Sequence, residues 1–134
     1  MENKYLTFEF MCHQIYYWYY EGIKETNNIE QQSNDLSKLK VMKLLFFITA
    51  ASSSESDVGL LEIFNNFYAL PLGPVESDIY NYLNACTNLS VNRYGMTISK
   101  HISKSASNIT EWKVIGAIDR LKEFNTGLVH YSAM

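Results

Sequence analysis

Phe67-Tyr68-Ala69-Leu70-Pro71-Leu72-Gly73-Pro74-Val75 contains the only two prolines of a 134-residue chain. Proline fixes φ and carries no backbone donor, so neither a helix nor a central strand runs straight through Pro71 to Pro74. A turn is forced here, and helical patterns flank it on both sides. Downstream, Gly73 is placed to act as N-cap, Pro74 fits a first helical position, and Glu76 brings a carboxylate to the positive end of a helix. Val75, Ile79, Leu83 and Cys86 then recur at helical spacing with Tyr82 beside them, which predicts a helix with one apolar stripe. Upstream, Phe67 to Leu70 reads as a short extended segment that Pro71 confines to a sheet edge.

Outward from this joint the patterns are mostly helical. Asp35 to Ala51 is the strongest helix, capped by Asp35 or Ser37. Val41 to Ile48 is apolar except for Lys43, and a helix apolar all round is a central, buried one. Lys38, Lys40 and Lys43 read as a solvated face. Ser52 to Asp57 is a loop by composition, and Val58 to Asn66 a short amphipathic helix. Tyr5 to Glu21 places Phe8, Met11, Cys12, Ile15, Tyr16 and Tyr19 on one helical face. Its run Ile15-Tyr16-Tyr17-Trp18-Tyr19-Tyr20 also has strand propensity, but length favours helix and core packing covers such a run. Glu25 to Asn34 is a polar connection. Thr87 to Ser107 is irregular, with a turn at Asn92-Arg93-Tyr94-Gly95 and a small basic island around Lys100, His101 and Lys104. Asn108 and Glu111 stand at capping-box spacing, opening a helix with Trp112, Ile115, Ile118 and Leu121 on one face. The sum is a mainly α, single compact domain over residues 1–134, with about five helices and a minor extended element before the Gly-Pro joint.

Composition bounds the function. At 47% hydrophobic and 19% charged residues the chain is globular. A net charge of −3 supplies no global basic field to grip nucleic acid. Ten tyrosines and seven phenylalanines are an excess that serves cores and interface hot spots alike. Two cysteines, Cys12 and Cys86, are too few for a disulfide framework. The start of the chain lacks a signal-peptide pattern and no apolar run reaches membrane-spanning length, so the cytoplasm is the expected compartment.

Catalytic constellations are not legible. His13, His101 and His130 are scattered, and adjacent Cys12-His13 is the wrong spacing for two ligands on one helical face, so neither metal nor cofactor is expected. No G-x-S-x-G elbow or glycine-rich phosphate loop occurs, and Ser37-Lys38-Leu39-Lys40 matches S-x-x-K without its companion motifs. The chain reads as a binding protein and not as an enzyme. Its surface candidates are Tyr94, Lys100 and Lys104. The basic island, together with Arg93, also supports an alternative: a phage or mobile-element regulator touching nucleic acid.

Lys43-Leu44-Leu45-Phe46-Phe47, followed by Ala69, Gly73, Pro74, Val75 and Tyr80, resembles the Panacea family, the SocA-like antitoxin domains. That family carries a K-L-L-[YF]-F helix and then an A-x-x-x-G-P-V segment leading into a helix with an aromatic. The likeness spans Leu36 to Leu83. Met42 stands where glutamine is usual before the lysine, and Leu70 where an aromatic is common. The resemblance implies a non-catalytic bacterial or phage domain that neutralises a cognate protein toxin, by direct binding or by delivering it to a protease. It implies that the motif residues are scaffold. It also implies a further C-terminal helix, which this chain lacks or only begins at His130 to Met134.

Overall fold

A computed structural model describes residues 2–24, 34–99 and 108–131. Four α-helices and two small antiparallel sheets make up the described regular structure: α1 (Glu2–Lys24), α2 (Lys38–Ala51), β1 (Phe67–Leu70), β2 (Gly73–Glu76), α3 (Ser77–Tyr82), β3 (Leu89–Val91), β4 (Met96–Ile98) and α4 (Asn108–Phe124). Short 3-10 turns lie at Gly59–Glu62 and Leu128–His130. The architecture is therefore mixed α/β, which corrects the mainly α expectation of about five helices.

Both sheets explain where the helical reading fails. The forced turn is present at Pro71-Leu72, but no helix starts at Pro74. Gly73 to Glu76 instead pairs back on Phe67 to Leu70, with Tyr68 opposite Val75 and Ala69 opposite Pro74. In a two-stranded sheet each strand is an edge, which is where proline is admitted. Gly73 has φ +134°, a conformation that side chains rarely adopt, and a Cβ there would press on Lys43 Cε at 3.0 Å. The helix begins only at Ser77, with Glu76 as its N-cap accepting from Ile79 N. The second sheet joins Leu89-Ser90-Val91 to Met96-Thr97-Ile98 through Asn92–Gly95. Leu89, Val91 and Met96 are buried while Ser90 and Thr97 are exposed. That is strand alternation, in runs too short to stand out from a loop.

Both α1 and α2 are core helices. Phe8, Met11, Cys12 and Ile15 are fully buried as their spacing predicts, and Thr7, Glu9, Phe10 and His13 on other faces are buried too. Complete burial of such apolar side chains is worth about 1.5–3 kcal/mol each, so α1 anchors the core. Of its aromatic run, Trp18 and Tyr19 are buried and Tyr17 stands out at the surface. The shorter α2 packs against α4, β2 and the Gly59–Glu62 turn. Its Val41, Leu44, Leu45 and Ile48 are buried, but Phe46 and Phe47 are exposed, so the apolar-all-round pattern overstated its burial. Nor are its lysines a solvated face. Lys40 is buried and bonded to Asp35 at 2.8 Å, and Lys43 lies against Gly73.

On α4 the buried face is Val114, Ala117 and Ile118, while Trp112 is 70% exposed. Of the expected face, Ile118 is buried and Ile115 and Leu121 pack partly buried against the core, so Trp112 alone departs from it. Gly116 faces open space on this helix, with no atom near an added Cβ. Gly116→Ala is expected to raise stability by about 0.5–1 kcal/mol, read from the urea midpoint, by removing backbone entropy from the unfolded chain.

Candidate partner-binding groove

A groove of about 740 Å³ opens where α2, the β1–β2 hairpin, α3 and the β3–β4 turn meet. The hairpin supplies Leu70, Pro71, Leu72, Gly73 and Val75. Residues Asp35, Ser37, Lys38, Leu39 and Met42 come from α2 and the segment leading into it. The remaining wall is Tyr80 of α3 with Arg93 and Tyr94 of the second turn. Met42 is buried beneath, whereas Leu72 and Tyr94 are 64% and 75% exposed, and Leu70 and Tyr80 are also largely open. Apolar and aromatic side chains held around a concavity are the arrangement expected of a binding site.

Local chemistry holds each wall. Ser37 caps α2, its hydroxyl accepting from Lys40 N at 3.3 Å. The second turn is shaped by Asn92, whose Oδ1 accepts from Tyr94 N at 2.8 Å and Gly95 N at 3.3 Å. It is tied to α2 by Lys38 N donating to Asn92 O at 2.8 Å. Behind it, buried Asn34 uses its whole amide. Nδ2 donates to Met96 O at 2.9 Å and to Tyr20 Oη at 3.0 Å. Oδ1 accepts from Met96 N at 2.9 Å and Leu36 N at 3.1 Å. A side chain so fully satisfied fixes α1, the start of α2 and β4 in one register.

The hairpin wall is fixed by charge. Glu76, fully buried, accepts from Asn66 N at 3.0 Å and Ile79 N at 3.1 Å and pairs with Lys4 Nζ at 2.6 Å. Lys4 also reaches Asp78 at 2.6 Å. Burial, the largest influence on Lys4, lowers its pKa, but its hydrogen bonds to Asp78 and Glu76 and their charges together raise it above the ordinary 10.5. The Lys4 hydrogen bond in turn holds the Asp78 carboxyl below its ordinary 3.8. A lowered carboxyl contributes stability above its unfolded pKa and loses it as pH falls through the folded value. A raised amine contributes fully below its unfolded pKa and loses it as pH rises through the folded one. The destabilisation caused by Asp78→Asn is therefore expected to be full near neutrality and to shrink as pH drops below 3.8, measured by urea unfolding at each pH.

A second polar cluster lies inside the fold, between α1 and α3. Buried Glu9 accepts from Tyr82 Oη, from Cys86 Sγ at 3.3 Å and from Asn88 Nδ2 at 2.9 Å. Tyr82 also stacks on Tyr5 with ring centroids 4.2 Å apart. Burial first, and the Glu9 hydrogen bond next, push the Tyr82 hydroxyl up. Burial likewise holds the Cys12 thiol protonated, a poor nucleophile. The cluster's chemistry is that of a fastening between two helices. Among the described residues no group of three His, Cys, Asp or Glu side chains is arranged to hold a metal ion, and no helix is long and apolar enough to cross a membrane.

Of the surface candidates named from sequence, Tyr94 lines the groove, and Lys100 and Lys104 lie outside the described residues. Among the motif residues expected to be scaffold, Gly73, Val75 and Tyr80 line it as well. Leu44 and Leu45 are core, Pro74 and Ala69 are paired strand positions, and Phe46 and Phe47 are exposed on α2. The joint is thus both a framework and one wall of the site. Sequence reasoning missed Leu70 and Leu72 as surface residues. The available signal was two leucines flanking Pro71 in a turn, where no periodicity gives them a buried face. No family model, curated protein or solved structure matches this chain.

Proposed function

We propose that this chain is a non-catalytic, antitoxin-like binding domain acting in the cytoplasm. It neutralises a cognate protein toxin, either by direct binding or by delivering it to a protease, and the groove is its partner-binding surface. The observation that carries the reading is the convergence of Leu70, Leu72, Tyr80 and Tyr94, all exposed, on one concave site whose base is apolar. Solvent-facing aromatics and leucines around a groove are costly to leave uncovered and are what interface hot spots are made of. The motif likeness to the Panacea family supplies the toxin as partner.

Co-expression with the neighbouring open reading frame tests this. That gene alone is expected to arrest growth, and the present chain to relieve the arrest and copurify with its product. A harmless neighbour, or no complex, overturns the reading. Within the complex, Leu72→Ala combined with Tyr94→Ala is expected to weaken binding about 100-fold or more, as loss of two hot spots does. Both side chains are exposed, so the free protein's stability should shift by no more than about 0.5 kcal/mol for each change.

A further inference from the structure

The groove's charge is as informative as its apolar base. Two cations line it, Lys38 from α2 and Arg93 from the second turn. Each is held over a ring: Lys38 Nζ lies 3.9 Å from the Tyr80 centroid, and Arg93 Cζ lies 5.4 Å from that of Tyr94. Neither forms a salt bridge among the described residues. Among the described residues the one carboxylate in the lining, Asp35, is neutralised by Lys40 at 2.8 Å. A net-acidic chain thus gathers positive charge, without a carboxylate partner among the described residues, around an apolar opening, and the positive end of α2, entered through Ser37, adds the same sign.

We infer that the groove takes an acidic segment of a partner protein: an apolar side chain enters over Met42 and Val75, and flanking aspartates or glutamates pair with Lys38 and Arg93. This rests on the groove being a protein-binding surface. A volume of about 740 Å³ suits the anchor residues of a short segment. Nucleic acid shares the negative charge but fits less well. The base of the groove is aliphatic, one face of each ring is taken by a cation, and the net charge of −3 opposes a polyanion. Complementary charge at the rim selects partners and speeds encounter, while the desolvated apolar anchor supplies affinity.

Fluorescence anisotropy on the full chain with labelled synthetic peptides tests the inference. Two peptides share a Leu-Phe anchor, one flanked by glutamates and the other by lysines. The acidic peptide is expected to bind about 10-fold tighter or more at low salt, with the gap narrowing as salt rises. In the Lys38→Glu/Arg93→Glu double variant the order should reverse. Should that variant fail to fold, Arg93→Gln alone, at an exposed position, should reduce the acidic preference. Equal binding of the two peptides, binding of neither, an order unchanged in the variants, or displacement of the acidic peptide by oligothymidylate overturns the inference. A toxin captured in the groove through a basic or neutral segment overturns the charge inference and leaves the proposed function standing. An acidic preference beside a neighbouring gene product that never binds does the reverse.

Discussion

Glu76→Ala is expected to cost about 3–5 kcal/mol of folding stability, the penalty for removing one member of a buried ion pair. Glu76 is fully buried and meets three partners at once: Lys4 Nζ, Asn66 N and Ile79 N. Alanine would strip the N-cap from α3 and the hydrogen bond from the chain entering β1. It would also leave Lys4, itself almost wholly buried, with Asp78 alone. Single domains are stable by only about 5–15 kcal/mol, so this change should consume a large share of the total. Urea unfolding measures it. Asn66 N and Ile79 N bond different carboxylate oxygens, so Glu76→Gln keeps an acceptor for only one of them and should fall between parent and alanine variant. A Glu76→Ala protein as stable as the parent would mean that the ion cluster is not what ties the hairpin to α1.

Gly59→Ala is expected to be nearly as damaging, at about 2–5 kcal/mol, although it adds a single methyl group. Gly59 has φ +60°, and its added Cβ would lie 2.2 Å from the carbonyl oxygen of Ser52. That neighbour is backbone at the end of α2, so no side-chain rotation relieves the overlap. Ser52 cannot shift freely either, because its hydroxyl donates to Thr49 O at 2.7 Å and accepts from Leu60 N at 2.8 Å. Displacing the turn would also lift Leu60, which is fully buried. Thermal melting compared with Gly116→Ala checks the mechanism, since the two alanines should move the melting temperature in opposite directions. A rise at both sites would show that unfolded-state entropy alone governs these glycines.

The chain shows how far periodicity reaches. Long helices are read well because many residues vote: Phe8, Met11, Cys12 and Ile15 lie where their spacing puts them, and Ser37 caps α2. Three-residue strands carry too few votes. Leu89-Ser90-Val91 and Met96-Thr97-Ile98 become strands only by pairing with each other, and β2 exists only because β1 lies beside it. The helix expected from Pro74 was a local preference overruled by a non-local ladder and by a cap three residues further on.

The amino-acid sequence by itself determined the obligatory turn at Pro71, the apolar faces of the long helices and the absence of a global basic field. These follow from local geometry and from summed charge, which need no knowledge of neighbours. Only the tertiary structure decided that Gly73 to Glu76 is a strand, that Phe46 and Phe47 of α2 are exposed, and that Glu76 is a buried cap held by Lys4. It alone brought Leu70, Leu72, Tyr80, Arg93 and Tyr94 around one groove. Those residues are separated along the chain by up to two dozen positions, and no spacing rule relates side chains that meet across different elements. The stretch from Phe67 to Val75 states where the chain must turn, and the packing of α2 against it, with the β3–β4 turn on the groove's other side, states what that turn faces.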